Sequence, residues 1–156
     1  FGWPALKPHS EYVKAALRKA GIDVTVRASA DFPTWAKRMG DMDFDLSWDT
    51  VFNWGDPVID VHRTYLSSNI AKGVWSNTKG YANAWVDEIL AAADRENDAA
   101  KRKALYAEFQ QLIANELPLY VTNALPYHTV YSNEIGNPPL GIWATSSPLD
   151  RTYLKQ

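Results

Sequence analysis

The feature that most restricts how this chain can fold is a pair of consecutive amphipathic patterns past its midpoint. Asn83 stands where a helix N-cap belongs. Behind it, Trp85 or Val86, Ile89, Leu90 and Ala93 recur at helical spacing, with Asp87 and Glu88 near the positive end of the helix dipole. A second pattern opens near Asp98 and carries Leu105, Phe109, Leu112 and Ile113 at i, i+4, i+7 and i+8. Pro118 ends it, since proline cannot continue the backbone ladder.

The N-terminal part alternates between two periods. Ser10 to Ala20 places Tyr12, Ala16, Leu17 and Ala20 at helical spacing, and Gly21 supplies a stop. "IDVTV" follows as a strand with Ile22, Val24 and Val26 on one face. Asp31 caps a short helix in which Trp35 and Met39 lie four apart, and "FDLSW" reads as a second strand. That strand puts Phe44, Leu46 and Trp48 on one side and Asp45, Ser47 and Asp49 on the other. Residues 57–81 are loop-like, with Val61 and Tyr65 in a helical turn, and "LYVTN" and "HTVYS" read as strands flanking Pro126. Helices and strands joined by short connections predict an α/β fold: a single lobe with a small mixed β-sheet flanked by helices.

At 156 residues the chain is long enough for one domain with a core and too short for two ordinary ones. A net charge of −2, with Lys and Arg spread along predicted helix faces, argues against a nucleic-acid partner. No apolar run approaches the roughly 20 residues needed to cross a bilayer, and no signal-peptide pattern is present. Cysteine is absent, which removes disulfides and thiol chemistry and fits an extracytoplasmic protein. The start "FGWPALKPHS" has no initiator Met and is expected to be cut from something longer.

Most motif readings fall away. Asp41, Asp43 and Asp45 imitate the opening of a calcium loop, yet its sixth and twelfth positions hold Leu46 and Phe52 instead of Gly and Glu. His9, His62 and His128 have no metal-ligand spacing, so no metal or cofactor is expected. No nucleophile elbow, P-loop or dinucleotide fingerprint occurs. Asp49 and Asp56 beside Trp48 and Trp54 offer a glycoside hydrolase as the rival reading, since two carboxylates and stacking indoles are what that chemistry uses. The preferred reading is non-enzymatic. Trp48 either packs in the core or faces a ligand. Asn53, Trp54, Gly55 and Asp56 form a polar turn at the strand exit, where α/β sheets collect ligands.

Three stretches carry a family resemblance: "ALRKAGIDVTVRASADFPTWAKRMGDMDFDLSW", the "DP" of Asp56 and Pro57, and "GYANAWVDEILAAADRENDAAKRKALYAEFQQLIANELPLYV". Together they resemble the C-terminal lobe of the family 5 extracellular solute-binding proteins of ABC importers, the dipeptide- and oligopeptide-binding group. The resemblance implies a type II periplasmic-binding-protein lobe over residues 1–156, with about 130–156 a tail returning toward a missing N-terminal lobe. It implies a periplasmic or extracellular protein, membrane-associated through an ABC permease or an anchor outside this chain. The implied solute is a peptide, an opine-like compound or an oligosaccharide. Nickel is disfavoured, because no histidine or cysteine cluster is present. Trp48, Asp49, Thr50, Phe52, Asn53 and Trp54 would face the cleft, with Tyr81 added from the long loop. In peptide-binding relatives an aspartate of this turn pairs with the peptide's ammonium. Its place falls here on Asn53, with Asp49 able to compensate.

Overall fold

The computed structural model describes residues 6–51, 55–70, 73–124, 128–141, 143 and 147–155. Five α-helices follow one another: α1 (Leu6–Lys19), α2 (Phe32–Gly40), α3 (Pro57–Tyr65), α4 (Ala84–Arg95) and α5 (Ala99–Glu116), with a 3-10 turn at Ser67–Asn69. Strands β1 (Ile135–Gly136) and β2 (Tyr153–Leu154) pair antiparallel near the C-terminus.

The helix ends obey local chemistry. Asp31 accepts the Thr34 N–H at 2.8 Å, Asn83 accepts the Trp85 N–H at 2.9 Å, and Asp98 accepts from Ala100 at 2.9 Å. Gly21, at φ 83°, closes α1: its N–H bonds the Arg18 carbonyl while the Ile22 N–H bonds that of Leu17, each at 3.1 Å. Leu117 takes the left-handed cap of α5, and Pro118 prevents continuation.

The core lies where α4 and α5 pack together. Val86, Ile89, Leu90 and Phe109 are buried there, with Tyr65, Leu105, Leu112 and Ile113 against them. Burying each of these large apolar side chains contributes about 1.5–3 kcal/mol. Val86 occupies the interior, whereas Trp85 lies outside and donates its indole N–H to Glu108 at 3.0 Å. The Tyr65 ring meets Phe109 edge-on at 5.1 Å and fastens α3 to the hairpin.

The α/β expectation is overturned. Among the described residues the sheet is two short strands, and the rest of the regular structure is helical. Residues 22–26, 44–48, 119–123 and 128–132 include no strand. Alternation predicts a strand only where a neighbour completes the hydrogen-bond ladder. Here side chains tie together the residues that flank the first two segments. Arg27 pairs with Asp43, and the Arg38 guanidinium donates to the Ala28 carbonyl at 3.4 Å and the Ser29 hydroxyl at 3.3 Å. The other two leave most of their apolar side chains in water, with Val121 73% and Val130 94% exposed, while Leu119 is half-buried.

The expected long loop of residues 57–81 is ordered more than its composition implies. It opens with α3, and Leu66 and Tyr81 of the same stretch close around Asn77, whose side chain is fully buried. The Asn77 amide donates to the carbonyls of Leu66 at 3.0 Å and Tyr81 at 2.6 Å and accepts the Tyr81 N–H at 3.0 Å. Satisfying backbone groups through one side chain replaces the missing ladder.

Candidate functional site

A cavity of about 50 Å³, lined by both polar and apolar groups, lies where four separate segments converge. Ser47, Asp49, Thr50 and Val51 come from the extended segment after α2, and Arg63 and Thr64 from the last turn of α3. Trp75, Ser76, Thr78 and Lys79 come from the following loop, and Leu119 from just beyond α5. A bound water needs about 10–15 Å³ of such space, so this cavity takes a few waters or one polar group. Pockets that enclose a whole small ligand run to about 300–1,000 Å³.

The cavity's position follows from how α3 begins. Asp56 caps that helix by accepting the Val58 N–H at 2.9 Å, with Pro57 preset for the first turn. The same carboxylate takes a two-pronged bond from Arg102 of α5 at 2.8 and 2.9 Å. Arg102 holds Asp56 down to about 2, helped by the Val58 N–H. The His62 ring and the Tyr106 hydroxyl add a contact at 3.0 Å. Anchored at both ends, α3 carries Arg63 and Thr64 into the cavity wall.

Inside, charges are held in unusual states. Asp49 accepts the Thr50 N–H at 2.7 Å, yet burial pushes its carboxyl up to about 6, opposed by that bond and by Arg63 and Lys79. Lys79 donates to the Thr64 carbonyl at 2.6 Å and lies 4.2 Å from the centre of the Tyr65 ring. Burial pulls its ammonium down to about 8, with Asp49 resisting. Arg63 reaches the fully buried Asp60 at 2.5 Å. Two buried atoms of these lining residues have no hydrogen-bond partner among the described residues: Arg63 Nε and Thr64 Oγ1. Buried polar groups are nearly always satisfied, so each such atom calls for a reason.

Trp75 forms the aromatic side of the cavity. It adopts a left-handed backbone, φ 58°, which is costly for a bulky residue. Phe32 and Trp35 of α2 pack against it with ring centres at 5.8 and 6.2 Å.

The sequence-derived site residues separate. Asp49 and Thr50 line the cavity. Trp48 turns the other way and stacks against His9 of α1 at 5.6 Å. Tyr81 lies outside the lining, edge-on to Tyr65 at 6.2 Å, with its hydroxyl donating to Glu116 at 2.7 Å. Phe52, Asn53 and Trp54 fall outside the described residues. Asp56 is engaged by Arg102 and is not part of the lining, so the cavity holds Asp49 without the second carboxylate of the hydrolase reading. Arg63, Thr64, Trp75 and Lys79 were not anticipated. The only available signal was a single indole inside an otherwise polar loop.

Among the described residues no group of three His, Asp or Glu side chains converges as a metal ion would require. None of the described helices is long and apolar enough to cross a membrane.

The site is thus a small cavity of mixed polar and apolar lining, with the indole of Trp75 in its wall. No family model matches the chain, and no solved structure matches it. Two curated proteins are similar. One, named "Probable deoxycholate-binding periplasmic protein" in Escherichia coli (strain K12), is 28% identical over 139 residues, covering 87% of this chain and 23% of that protein. The other, "Protein XP55" of Streptomyces lividans, is 34% identical over 96 residues, covering 62% of this chain and 17% of that protein. The chain therefore spans less than a quarter of the length of either relative. A role in solute binding is consistent with the first of these similarities.

Proposed function

We propose that this chain forms one wall of the binding cleft in an extracytoplasmic solute-binding component of an ABC importer, similar to the family 5 proteins. It captures a small solute without bond chemistry and passes it to a membrane permease. In this reading the opposing wall belongs to the rest of a longer protein, in keeping with relatives several times this length. The solute is a peptide or another compact polar molecule. An oligosaccharide is the alternative, and the relative's name adds deoxycholate to the candidates.

The observation that supports this reading is the convergence of Asp49, Arg63, Thr64, Trp75 and Lys79, brought from three separate segments, on one cavity of about 50 Å³. The test is calorimetry of the purified chain against dipeptides, short oligosaccharides and deoxycholate below its micelle range. Affinities near 1 mM are expected for a single wall. Heat from none of the three classes would overturn the proposal. So would a cleaved product recovered after incubation, which would return the glycoside hydrolase reading.

A further inference from the structure

The contact that fastens α3 to α5 is built so that it accepts a neutral imidazole and resists a charged one. His62 is only 6% exposed, and its Nε2 meets the Tyr106 hydroxyl at 3.0 Å. Arg102 lies 5.4 Å from the centre of the Tyr106 ring and acts on its hydroxyl. Arg102 is itself fixed: its Nε donates to the Ala93 carbonyl at 3.0 Å, and its two terminal nitrogens grip Asp56. A guanidinium only donates, so the phenol oxygen turns its lone pairs to Arg102 and its proton to His62. That assigns Nε2 as the acceptor and places the ring proton on Nδ1. A second proton at Nε2 would set two hydrogens against each other, unless the hydroxyl aimed its own at the Arg102 cation. We propose that His62 is an acid-sensitive latch: gaining a proton frees α3 from α5 and loosens the cavity wall that α3 supplies. This goes beyond the solute-binding reading and does not depend on it.

The surrounding charges bear this out. Burial is the largest influence on the ring and holds its titration below the ordinary 6.5. Asp94 of α4 and Asp56 at the start of α3 pull the other way, and Arg102 of α5 adds to the effect of burial. Tyr106 of α5, pushed up by burial, stays a neutral phenol. On α3 itself, Asp60 and Arg63 pair with each other. A ring released to water takes a proton at its ordinary value while the docked ring resists. The released form therefore gains as pH falls below about 6.5, and the docked form is favoured above it. What the ring holds is the end of α3. The His62 carbonyl accepts the Leu66 N–H at 3.0 Å and the Asn69 amide at 3.3 Å, and Arg63 and Thr64 beside it belong to the cavity lining.

The test is amide hydrogen exchange of the whole chain at about pH 8 and about pH 5, corrected for the intrinsic rate, beside His62→Gln. Glutamine can accept the Tyr106 proton and carries no charge at either pH. Asp49 titrates in the same range, but it does so in both proteins and cancels from their ratio. Leu66 protection in the unaltered chain, divided by that in His62→Gln, should fall about three- to tenfold at the acid pH, the worth of one hydrogen bond. A ratio that stays constant overturns the latch. Leu66 should also exchange faster than residues 86–93, which report global unfolding. Equal protection would mean that His62 charges only when the whole chain unfolds, and that also overturns it. A second variant, Tyr106→Phe, is read by NMR titration of the His62 ring protons. Losing the hydroxyl that supports the neutral ring should move the titration to higher pH. A midpoint unmoved in Tyr106→Phe, or one already at the ordinary value in the unaltered chain, refutes the assignment.

Discussion

Replacing Asp49 by asparagine should stabilise the protein at neutral pH. Burial raises the Asp49 carboxyl from its ordinary 3.8 to about 6, so the folded chain holds that proton more tightly than the unfolded chain does. Below the ordinary value both states are protonated and the group is neutral in its effect. As pH rises through the interval the unfolded state releases its proton first, and stability falls until both states are ionised above about 6. A shift of about two units corresponds to about 3 kcal/mol, reduced to about 1–3 kcal/mol by residual solvent contact. Asparagine keeps the size and can still accept the Thr50 N–H. It removes the charge that burial penalises. Lys79 then loses a counter-charge, so its ammonium, already pulled down to about 8, should titrate lower still. Urea unfolding across this pH range should show the Asp49→Asn advantage growing by about 1–3 kcal/mol between about pH 4 and pH 7. A constant difference across that range, or a less stable variant at pH 7, would refute the burial argument.

Asn77→Ala removes three close hydrogen bonds to Leu66 and Tyr81 and strands those buried backbone groups. A loss of about 2–4 kcal/mol in urea unfolding is expected, and an unchanged midpoint would show that the loop is held by other contacts. Gly136→Ala would set a methyl 2.3 Å from the Tyr153 ring, which must then swing away from β1. Amide exchange at Lys155, whose N–H bonds the Glu134 carbonyl at 2.7 Å, should accelerate while exchange in α4 and α5 stays put. Equal protection at Lys155 in both proteins would count against that account.

The helices were legible because their information is local. The caps Asp31, Asn83 and Asp98, the stop at Gly21 and the apolar stripe ending in Ile113 each act within a few residues of themselves. The strands were misread for the converse reason. The alternation of Ile22, Val24 and Val26 describes a face, but whether a ladder forms depends on a partner elsewhere. The candidate site was half visible. Asp49 could be picked from the polar face of the 44–49 segment and Thr50 from the position after it, and both residues line the cavity. Arg63, Thr64 and Lys79 carry no pattern of their own, because what sets them apart is burial created by remote segments. Trp48, counted to the side opposite Asp49, is not part of the lining and meets His9 of α1.

The short connection 96–98 between α4 and α5 has a kinetic consequence. Closing so small a loop costs little chain entropy, so this hairpin should gather early, with the slowest amide exchange in 86–93 and 105–113. The cavity, by contrast, draws on residues 47–51, 63–64, 75–79 and 119, which must be recruited across long spans of chain. Competence to hold a solute would then be the last property the protein acquires as it matures and the first it surrenders on warming, well before its helical content declines.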